Sequence, residues 1–246
     1  MDQLEIVELG ARFMPKMASS DSYTSLPTST GEARLYVSTS CPYSQRVWIA
    51  KNYKGVENME LLSINILDKP KWYIEKISPF GKIPALEHNG KIIVESLDII
   101  KYMDEKFSGP KLFLLDSSKQ AMTYDLLRYL DALNNHFFNV LKRKPLNKIQ
   151  LGKEIGSYFD RLEGYLGKCC KQGPYFLGSI SVVDFSYLPF IERYNIILQE
   201  IYCYDIFEKR SRLSQWFKIC NELDIYTSTK SNPRMVINEM KRVLER

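Results

Sequence analysis

Cys41 is the residue of this 246-residue sequence with the clearest chemical potential, because it stands between a strand-like and a helix-like segment. Pro42 follows it, and proline is favoured at the first position of a helix, where its missing N–H is not needed. A thiolate at that helix end would face unpaired N–H groups and the positive end of the helix dipole, which stabilise it as a nucleophile. Arg46, one turn later, would add positive potential. The alternative for Cys41 is a buried structural cysteine that follows a strand.

The second thiol of a dithiol redox centre is replaced by serine in the motif Cys41-Pro42-Tyr43-Ser44. Without a resolving cysteine, a thiolate that attacks a disulfide stays in a mixed disulfide until an external thiol releases it. The motif therefore favours a monothiol mechanism with glutathione as the partner.

Four later residues could bind a peptide such as γ-Glu-Cys-Gly. Ser96 and the N–H groups of a helix that starts there could bind a carboxylate, and Glu95 could pair with an ammonium group. The backbone of Ile83 could bond an extended peptide like an added strand. Lys69 could meet a second carboxylate. Each has a plainer interpretation alone: Ser96 as a helix cap, for example, or Lys69 as a solvated charge. Together with Cys41 they describe a glutathione site.

A β-α-β-α-β-β-α pattern is expected to position these residues. Strands are predicted at 34–38, 59–66, 83–88 and 91–95, and helices from Pro42 to about Gly55, at 70–77 and at 96–107. Asn89-Gly90 is a strong signal for a two-residue hairpin turn, and Ser96 is predicted to cap the following helix. This order is typical of a thioredoxin-like domain. Pro84 matches the strand-entry proline that faces the active thiol in that fold, so the Ile83–Pro84 bond is predicted to be cis.

The pattern changes to helical periodicity after residue 110. Helices are predicted at about 118–141, 149–169, 182–197, 211–221 and 232–245, which defines an all-α second domain. The serine and the aspartate of Ser181–Asp184 have the spacing of an N-terminal capping box, so Asp184 is predicted to be structural. The predicted fold class is α+β. The chain is predicted to consist of a flexible extension at 1–31, a thioredoxin-like glutathione-binding domain at 32–108, a linker at 109–116 and an all-α domain at 117–246.

Composition and charge exclude several classes of protein. Hydrophobic residues make up 45% and charged residues 26% of the chain, and no uncharged apolar run approaches the ~20 residues of a spanning helix. The odd number of cysteines, five, argues against a disulfide framework. Residues 1–10 have no signal-peptide pattern, and the two observations together favour a cytoplasmic protein. The net charge of +5 lies in residues 116–246 without a nucleic-acid motif. His88 and His136 lack metal-ligand spacing, so no metal is expected.

Several longer motifs resemble those of one enzyme family. They are RLY (34–36), CPYSQRVWI (41–49), NYKG (52–55), DKPKWY (68–73), KIPALEHNGK (82–91), ESLDIIKY (95–102), GPYFLG (173–178), SVVD (181–184) and PFIER (189–193). With them, residues from about 33 to the end resemble the cytosolic glutathione transferases of the cysteine type, and are most similar to the plant lambda class.

The resemblance implies a glutathione-dependent thioltransferase that removes glutathione from small molecules such as flavonoid adducts. It implies that Cys41 is the nucleophile, and that Lys69, Ile83, Glu95 and Ser96 contact glutathione. Supporting roles fall to Pro42, Tyr43 and Pro84. A hydrophobic or aromatic acceptor is expected between the domains, in a pocket lined by Tyr124, Arg128 and Tyr187. The partners would be glutathione and this acceptor, without nucleic acid or membrane, in a monomer or homodimer.

Three alternatives stay open beside this expectation. Tyr43 and Ser44 lean toward the motif of the dehydroascorbate reductases. A non-catalytic protein that binds aromatic ligands would use the same pocket without turnover. A membrane-inserting relative would have an apolar first helix, whereas the polar residues of this segment predict an amphipathic one: Gln45, Arg46, Lys51 and Asn52.

Overall fold

The structure of the protein is a computed structural model, which describes residues 18–19, 25–28, 32–114, 116–143, 147–169 and 172–244. The chain divides into two compact units. The first ends at Pro110 and also includes Asp224–Lys230, and the second comprises Lys111–Leu223 and the residues from Ser231 onward. The sequence pattern assigns 224–230 to the helical domain, whereas the structure packs this segment with the first unit.

The first unit contains the predicted β-α-β-α-β-β-α order. Its elements up to residue 110 are β1 (Ala18–Ser19), β2 (Ala33–Val37), α1 (Pro42–Lys54), β3 (Met59–Ser63), α2 (Lys71–Lys76), β4 (Ala85–His88), β5 (Lys91–Val94) and α3 (Ser96–Lys106). The strands form one sheet in the order β1-β3-β2-β4-β5. β3 is parallel to β1 and β2, whereas β2–β4 and β4–β5 are antiparallel. The predicted thioredoxin-like fold is confirmed.

The short edge strand β1 lies within residues 1–31, for which the sequence predicts a flexible extension. Ala18 pairs with Leu62 of β3, and the carbonyl of Pro27 accepts a hydrogen bond of 2.8 Å from the Arg34 guanidinium. A two-residue strand is too short to produce an alternating pattern, so the sequence gives no signal for it. The remainder of the predicted extension, residues 1–17, 20–24 and 29–31, lies outside the described residues.

Local signals explain where the elements of the first unit begin and end. Gly55 ends α1 with a φ of 66°, a left-handed conformation that favours glycine. The hairpin turn has a positive φ at both residues, 51° at Asn89 and 70° at Gly90, as its two-residue geometry requires. All five residues of β2 are buried, as expected for a central strand covered on both faces.

The second unit is helical, as predicted. Its helices are α4 (Ser117–Lys142), α5 (Lys148–Cys169), α6 (Val182–Tyr202), α7 (Ser211–Asn221) and α9 (Pro233–Leu244), while α8 (Asp224–Thr227) belongs to the first unit. α6 continues five residues beyond its predicted end, although Pro189 lies inside it. Within the residues that the structure describes, no helix is both long and apolar enough to span a membrane.

Asp184 has the structural position that its sequence context predicts. Ser181 caps α6, and the reciprocal capping box with Asp184 is present. The buried Asp184 carboxylate also accepts hydrogen bonds from the Phe176 N–H at 3.2 Å and the Trp216 indole N–H at 2.9 Å. Burial raises the pKa of Asp184 to about 6, while these hydrogen bonds act in the opposite direction. The carboxylate therefore joins α6, α7 and the preceding loop.

Candidate functional site

Cys41 is the N-cap residue of α1, so its thiol lies at the positive end of that helix. The carbonyl of Cys41 accepts the N–H of Gln45 at 3.0 Å, which begins the helical hydrogen-bond pattern. The residue is 6% exposed, and its Sγ lies 3.8 Å from the carbonyl oxygen of Ile83, to which it donates. A sulfur at this position can meet a ligand that binds along Ile83 and can benefit from the helix end.

The segment before β4 is held in place from several sides. The Ile83–Pro84 bond is cis, as predicted. Tyr73 is buried and donates its hydroxyl to the Lys82 carbonyl at 2.6 Å, while the Lys82 N–H donates to the Ser78 hydroxyl at 2.9 Å. These bonds fix the backbone that leads into Ile83, and so they fix the carbonyl that faces Cys41.

Ser96 does not cap α3, which corrects the prediction. It is the first helical residue, and Glu95 is the N-cap residue, with a positive φ of 67°. The Ser96 hydroxyl accepts two hydrogen bonds from Arg46, from Nε at 2.9 Å and from Nη2 at 2.5 Å. Both residues are buried, and the Arg46 guanidinium lies over the Tyr43 ring at 5.0 Å. Arg46 thus connects the start of α1 to the start of α3.

Glu95 forms an ion pair with Lys82, a residue that is not among those predicted from the sequence to line the site. The pair is more than half exposed, with side-chain exposures of 57% for Lys82 and 54% for Glu95. A signal for it does exist in the sequence. The hairpin turn at Asn89-Gly90 sets a register in which Ala85 pairs with Val94, so the residues just before β4 and just after β5 must be close.

Lys69 lies beside the turn that precedes Ile83. Its ammonium donates to the Ile66 carbonyl at 2.8 Å. Its side chain passes so close to Gly81 that a Cβ there would lie 3.3 Å from the Lys69 Cδ. Cys41 thus contacts Ile83, Glu95 pairs with the neighbour of Ile83, and Lys69 lies beside Gly81, two residues before Ile83.

Gln45, Arg46 and Lys51 of α1 are buried and Asn52 is partly buried, so these residues do not form a solvated face, which corrects the prediction of an amphipathic helix. Gln45 donates to the Thr229 hydroxyl at 3.3 Å, and Asn52 donates to the Ile225 carbonyl at 3.1 Å. Lys51 is also buried, and burial lowers its pKa. These bonds attach residues 224–230 to the helix that begins at Cys41.

The three residues predicted for the acceptor pocket have different environments within the second unit. Tyr124 is 54% exposed, and Arg128 is exposed and pairs with Asp125 at 3.4 Å. Tyr187 is fully buried, and its hydroxyl donates to the Leu126 carbonyl at 2.6 Å. Burial raises the pKa of Tyr187 well above its ordinary value. Tyr187 therefore packs α6 against α4, and its hydroxyl is engaged within the protein.

Cys41, Cys203 and Cys220 are free thiols, and they differ in environment. Cys203 is exposed, whereas burial raises the pKa of Cys220. Cys170 and the side chain of Cys169 lie outside the described residues. Among the residues described, no group of three or more histidine, cysteine or acidic side chains could hold a metal ion. His88 and His136 bond to the Tyr102 hydroxyl and the Glu154 carbonyl, which accounts for both as packing residues.

A thioredoxin-like unit with a thiol at a helix start, combined with an all-α unit, is the architecture of the glutathione transferases. Comparisons with known proteins agree. The family model described as "Glutathione S-transferase, N-terminal domain" matches residues 35–111, and that described as "Glutathione S-transferase, C-terminal domain" matches residues 149–218. A solved structure, glutathione transferase Omega 3C from Trametes versicolor, has a TM-score of 0.75 at 22% identity and covers 96% of each chain.

Two curated relatives from Arabidopsis thaliana are more similar in sequence. Glutathione S-transferase L1 is 43% identical over 87% of this chain and 88% of that protein. Glutathione S-transferase L2, chloroplastic, is 40% identical over 86% of this chain and 70% of that protein. The chain belongs to the glutathione S-transferase family. Its resemblance to the plant lambda class is confirmed, and glutathione is the co-substrate of the family.

Proposed function

We propose that the protein is a glutathione-dependent thioltransferase that works through a mixed disulfide between Cys41 and glutathione. The observation that carries this proposal is the position of the Cys41 thiol, at the N-cap of α1 and 3.8 Å from the carbonyl of Ile83. A helix N-terminus stabilises a thiolate, and an adjacent extended backbone segment can pair with a peptide ligand. Serine at position 44 leaves the motif without a resolving thiol.

The proposed reaction has two steps. The Cys41 thiolate attacks the glutathionyl sulfur of a glutathionylated acceptor, and a sulfur–sulfur bond forms while the bond from that sulfur to the acceptor breaks. The acceptor leaves with the electron pair and takes up a proton, so it is released in reduced form. The thiolate of free glutathione then attacks the mixed disulfide, which gives glutathione disulfide and restores the Cys41 thiolate.

Glutathione is proposed to bind through Lys69, Ile83, Glu95 and Ser96. The Ile83 backbone would pair with the cysteinyl residue of glutathione, which places the glutathionyl sulfur at Cys41. Ser96 and the start of α3 offer donors for the γ-glutamyl carboxylate, and Glu95 offers a partner for its ammonium. Lys69 would meet the carboxylate of the glycyl residue. Pro42, Tyr43 and Pro84 have supporting roles, since they shape the helix start and the strand entry.

A hydrophobic or aromatic small molecule is proposed as the acceptor. The exposed side chains of Tyr124 and Arg128 on α4 are available to contact it, whereas the buried position of Tyr187 favours a packing role. The protein would act as a monomer or homodimer in the cytoplasm. Because one relative is named as chloroplastic, a fusion of the full chain to a fluorescent protein should be localised in plant cells.

Turnover of three substrates tests the proposal. The full-length protein is assayed with glutathione and, in separate reactions, a glutathionylated aromatic ketone, dehydroascorbate and a chloronitrobenzene. Turnover of the glutathionylated ketone is expected to be strong, and Cys41→Ser is expected to abolish it while exposing at most weak conjugation to the chloronitrobenzene. Cys203→Ser is the matched control, because it removes an exposed thiol outside the site.

Each other outcome points to a different function. Strong turnover of dehydroascorbate alone would identify a dehydroascorbate reductase with the same nucleophile. Tight binding of aromatic ligands without glutathione-dependent turnover would identify a ligand-binding protein. Strong turnover of the chloronitrobenzene alone, or full thioltransferase activity in Cys41→Ser, would contradict the proposed mechanism.

A further inference from the structure

The hydroxyl of Ser96 has its acceptor capacity filled by Arg46. A serine hydroxyl has one donor and two acceptor lone pairs, and two N–H groups of Arg46 donate to the Ser96 oxygen at 2.9 and 2.5 Å. A guanidinium has no acceptor, so the Ser96 proton cannot be given to Arg46. The proton is left to point away from Arg46, and the hydroxyl acts toward a ligand as a donor only.

Three features around Ser96 favour a negatively charged partner, and they act against the negative charges of Glu95 at the N-cap and Asp98 in the first turn of α3. Ser96 is the first residue of α3, where the N–H groups of the first turn have no partner within the helix. The Arg46 charge lies directly behind the hydroxyl, and both residues are only 4% exposed, so water screens this charge weakly. A donor-only hydroxyl, a helix start and a buried cation act together on the same ligand group.

We propose that Arg46 is a positioning residue that turns Ser96 into a donor for anions and thereby makes this subsite select the α-carboxylate of the γ-glutamyl group. The proposal rests on the proposed function, because it names the part of glutathione that this pair of residues recognises. Arg46 acts through Ser96, and Tyr43 covers the face of its guanidinium at 5.0 Å. Tyr43, the aromatic residue after Cys41-Pro42, therefore holds Arg46 against Ser96.

The test compares two ligands that differ only in this charge: glutathione, and an analogue with the α-carboxylate of its γ-glutamyl residue converted to a primary amide. Calorimetry gives the dissociation constant of each for the full-length protein. The quantity of interest is the preference, the ratio of the two constants. The wild-type protein is expected to prefer glutathione by at least about tenfold, because hydrogen bonds to charged groups are the stronger ones.

The variants are Arg46→Met, Ser96→Ala and the double variant. Arg46→Met is expected to lower the preference about tenfold, and Ser96→Ala to lower it by a similar factor. Because Arg46 acts through Ser96, the two substitutions should not add. The double variant should therefore show the same preference as the less selective of the two single variants. Lys71→Met is the matched control, since it removes an exposed cation of α2 and should leave the preference unchanged.

Several results would overturn the proposal. If Arg46→Met weakens the binding of both ligands by the same factor, the preference is unchanged and Arg46 has only a packing role. If Arg46→Met does not fold, Arg46→Gln carries the same test, since glutamine removes the charge, and an unchanged preference would be equally decisive. A wild-type protein that binds glutathione and its amide equally well would overturn this inference alone. Failure of the wild-type protein to bind glutathione at all would overturn the proposed function as well.

Discussion

Loss of one partner from the buried ion pair between Lys54 and Asp104 is expected to destabilise the first unit strongly. Lys54 is at the end of α1 and its side chain is fully buried, while the Asp104 side chain on α3 is 9% exposed. The two charged atoms are 3.0 Å apart, and the Lys54 ammonium also donates to the Pro110 carbonyl at 3.1 Å. The pair therefore joins the helix that begins at Cys41 to the helix that begins at Ser96.

Lys54→Met would remove the lysine and leave a carboxylate in a buried position. Loss of one partner of a buried ion pair typically destabilises a protein by about 3–5 kcal/mol. At a slope of about 2 kcal/mol per molar urea, a loss of about 4 kcal/mol lowers the unfolding midpoint by about 2 M. Lys54→Met combined with Asp104→Asn should recover most of the loss, because it removes both charges.

Urea unfolding followed by tryptophan fluorescence is a suitable assay, because the three tryptophans report on both units. Trp48 and Trp72 belong to the first unit and Trp216 to the second. A Trp216→Phe background therefore isolates the signal of the first unit. The control is Lys71→Met, which removes a lysine with an 89% exposed side chain from its ion pair with Glu75 on α2, and the expected change is at most about 0.5 kcal/mol. A loss below about 1 kcal/mol in Lys54→Met would refute the reasoning.

Two further predictions follow from other charged groups. Burial raises the pKa of Asp184 to about 6, so between about pH 4 and pH 6 the folded protein holds a proton that the unfolded chain has lost. Stability should therefore fall by about 3 kcal/mol as the pH rises through this window. Asp184→Asn should lack this fall in urea titrations, and parallel pH profiles of the two proteins would contradict the prediction. The exposed ion pair of Lys82 with Glu95 contributes about 0–1 kcal/mol, so Lys82→Met, which frees Glu95 for the ligand ammonium, should strengthen glutathione binding by at most about fivefold. A weaker affinity in calorimetry would show that Lys82 itself contacts glutathione.

Much of the first unit could be predicted because its signals are local. Pro42 at the helix start, Gly55 at its end and the Asn89-Gly90 turn each require one backbone conformation at one place. The same holds for the capping box of Ser181–Asp184 in the second unit. Such signals depend on residues a few positions apart, so sequence spacing is enough to find them.

The contacts that were not predicted join residues far apart in the chain. Arg46 and Ser96 are 50 positions apart, and Gln45 reaches Thr229 over 184 positions. The sequence predicts that the polar residues of α1 are solvated, because it does not show that residues 224–230 belong to the first unit and contact this helix. The sequence predicts Ser96 as a site residue, but it could not show that Arg46 donates to both lone pairs of the Ser96 hydroxyl.

The most direct test of the central claim is mass spectrometry of the intact protein after incubation with a glutathionylated acceptor in the absence of free glutathione. We expect one glutathionyl group per chain, mapped by peptide digestion to Cys41, and the release of one equivalent of reduced acceptor. Addition of glutathione should remove the group and restore the original mass. Release of reduced acceptor without an adduct on Cys41, or with the adduct on Cys203 instead, would contradict the account.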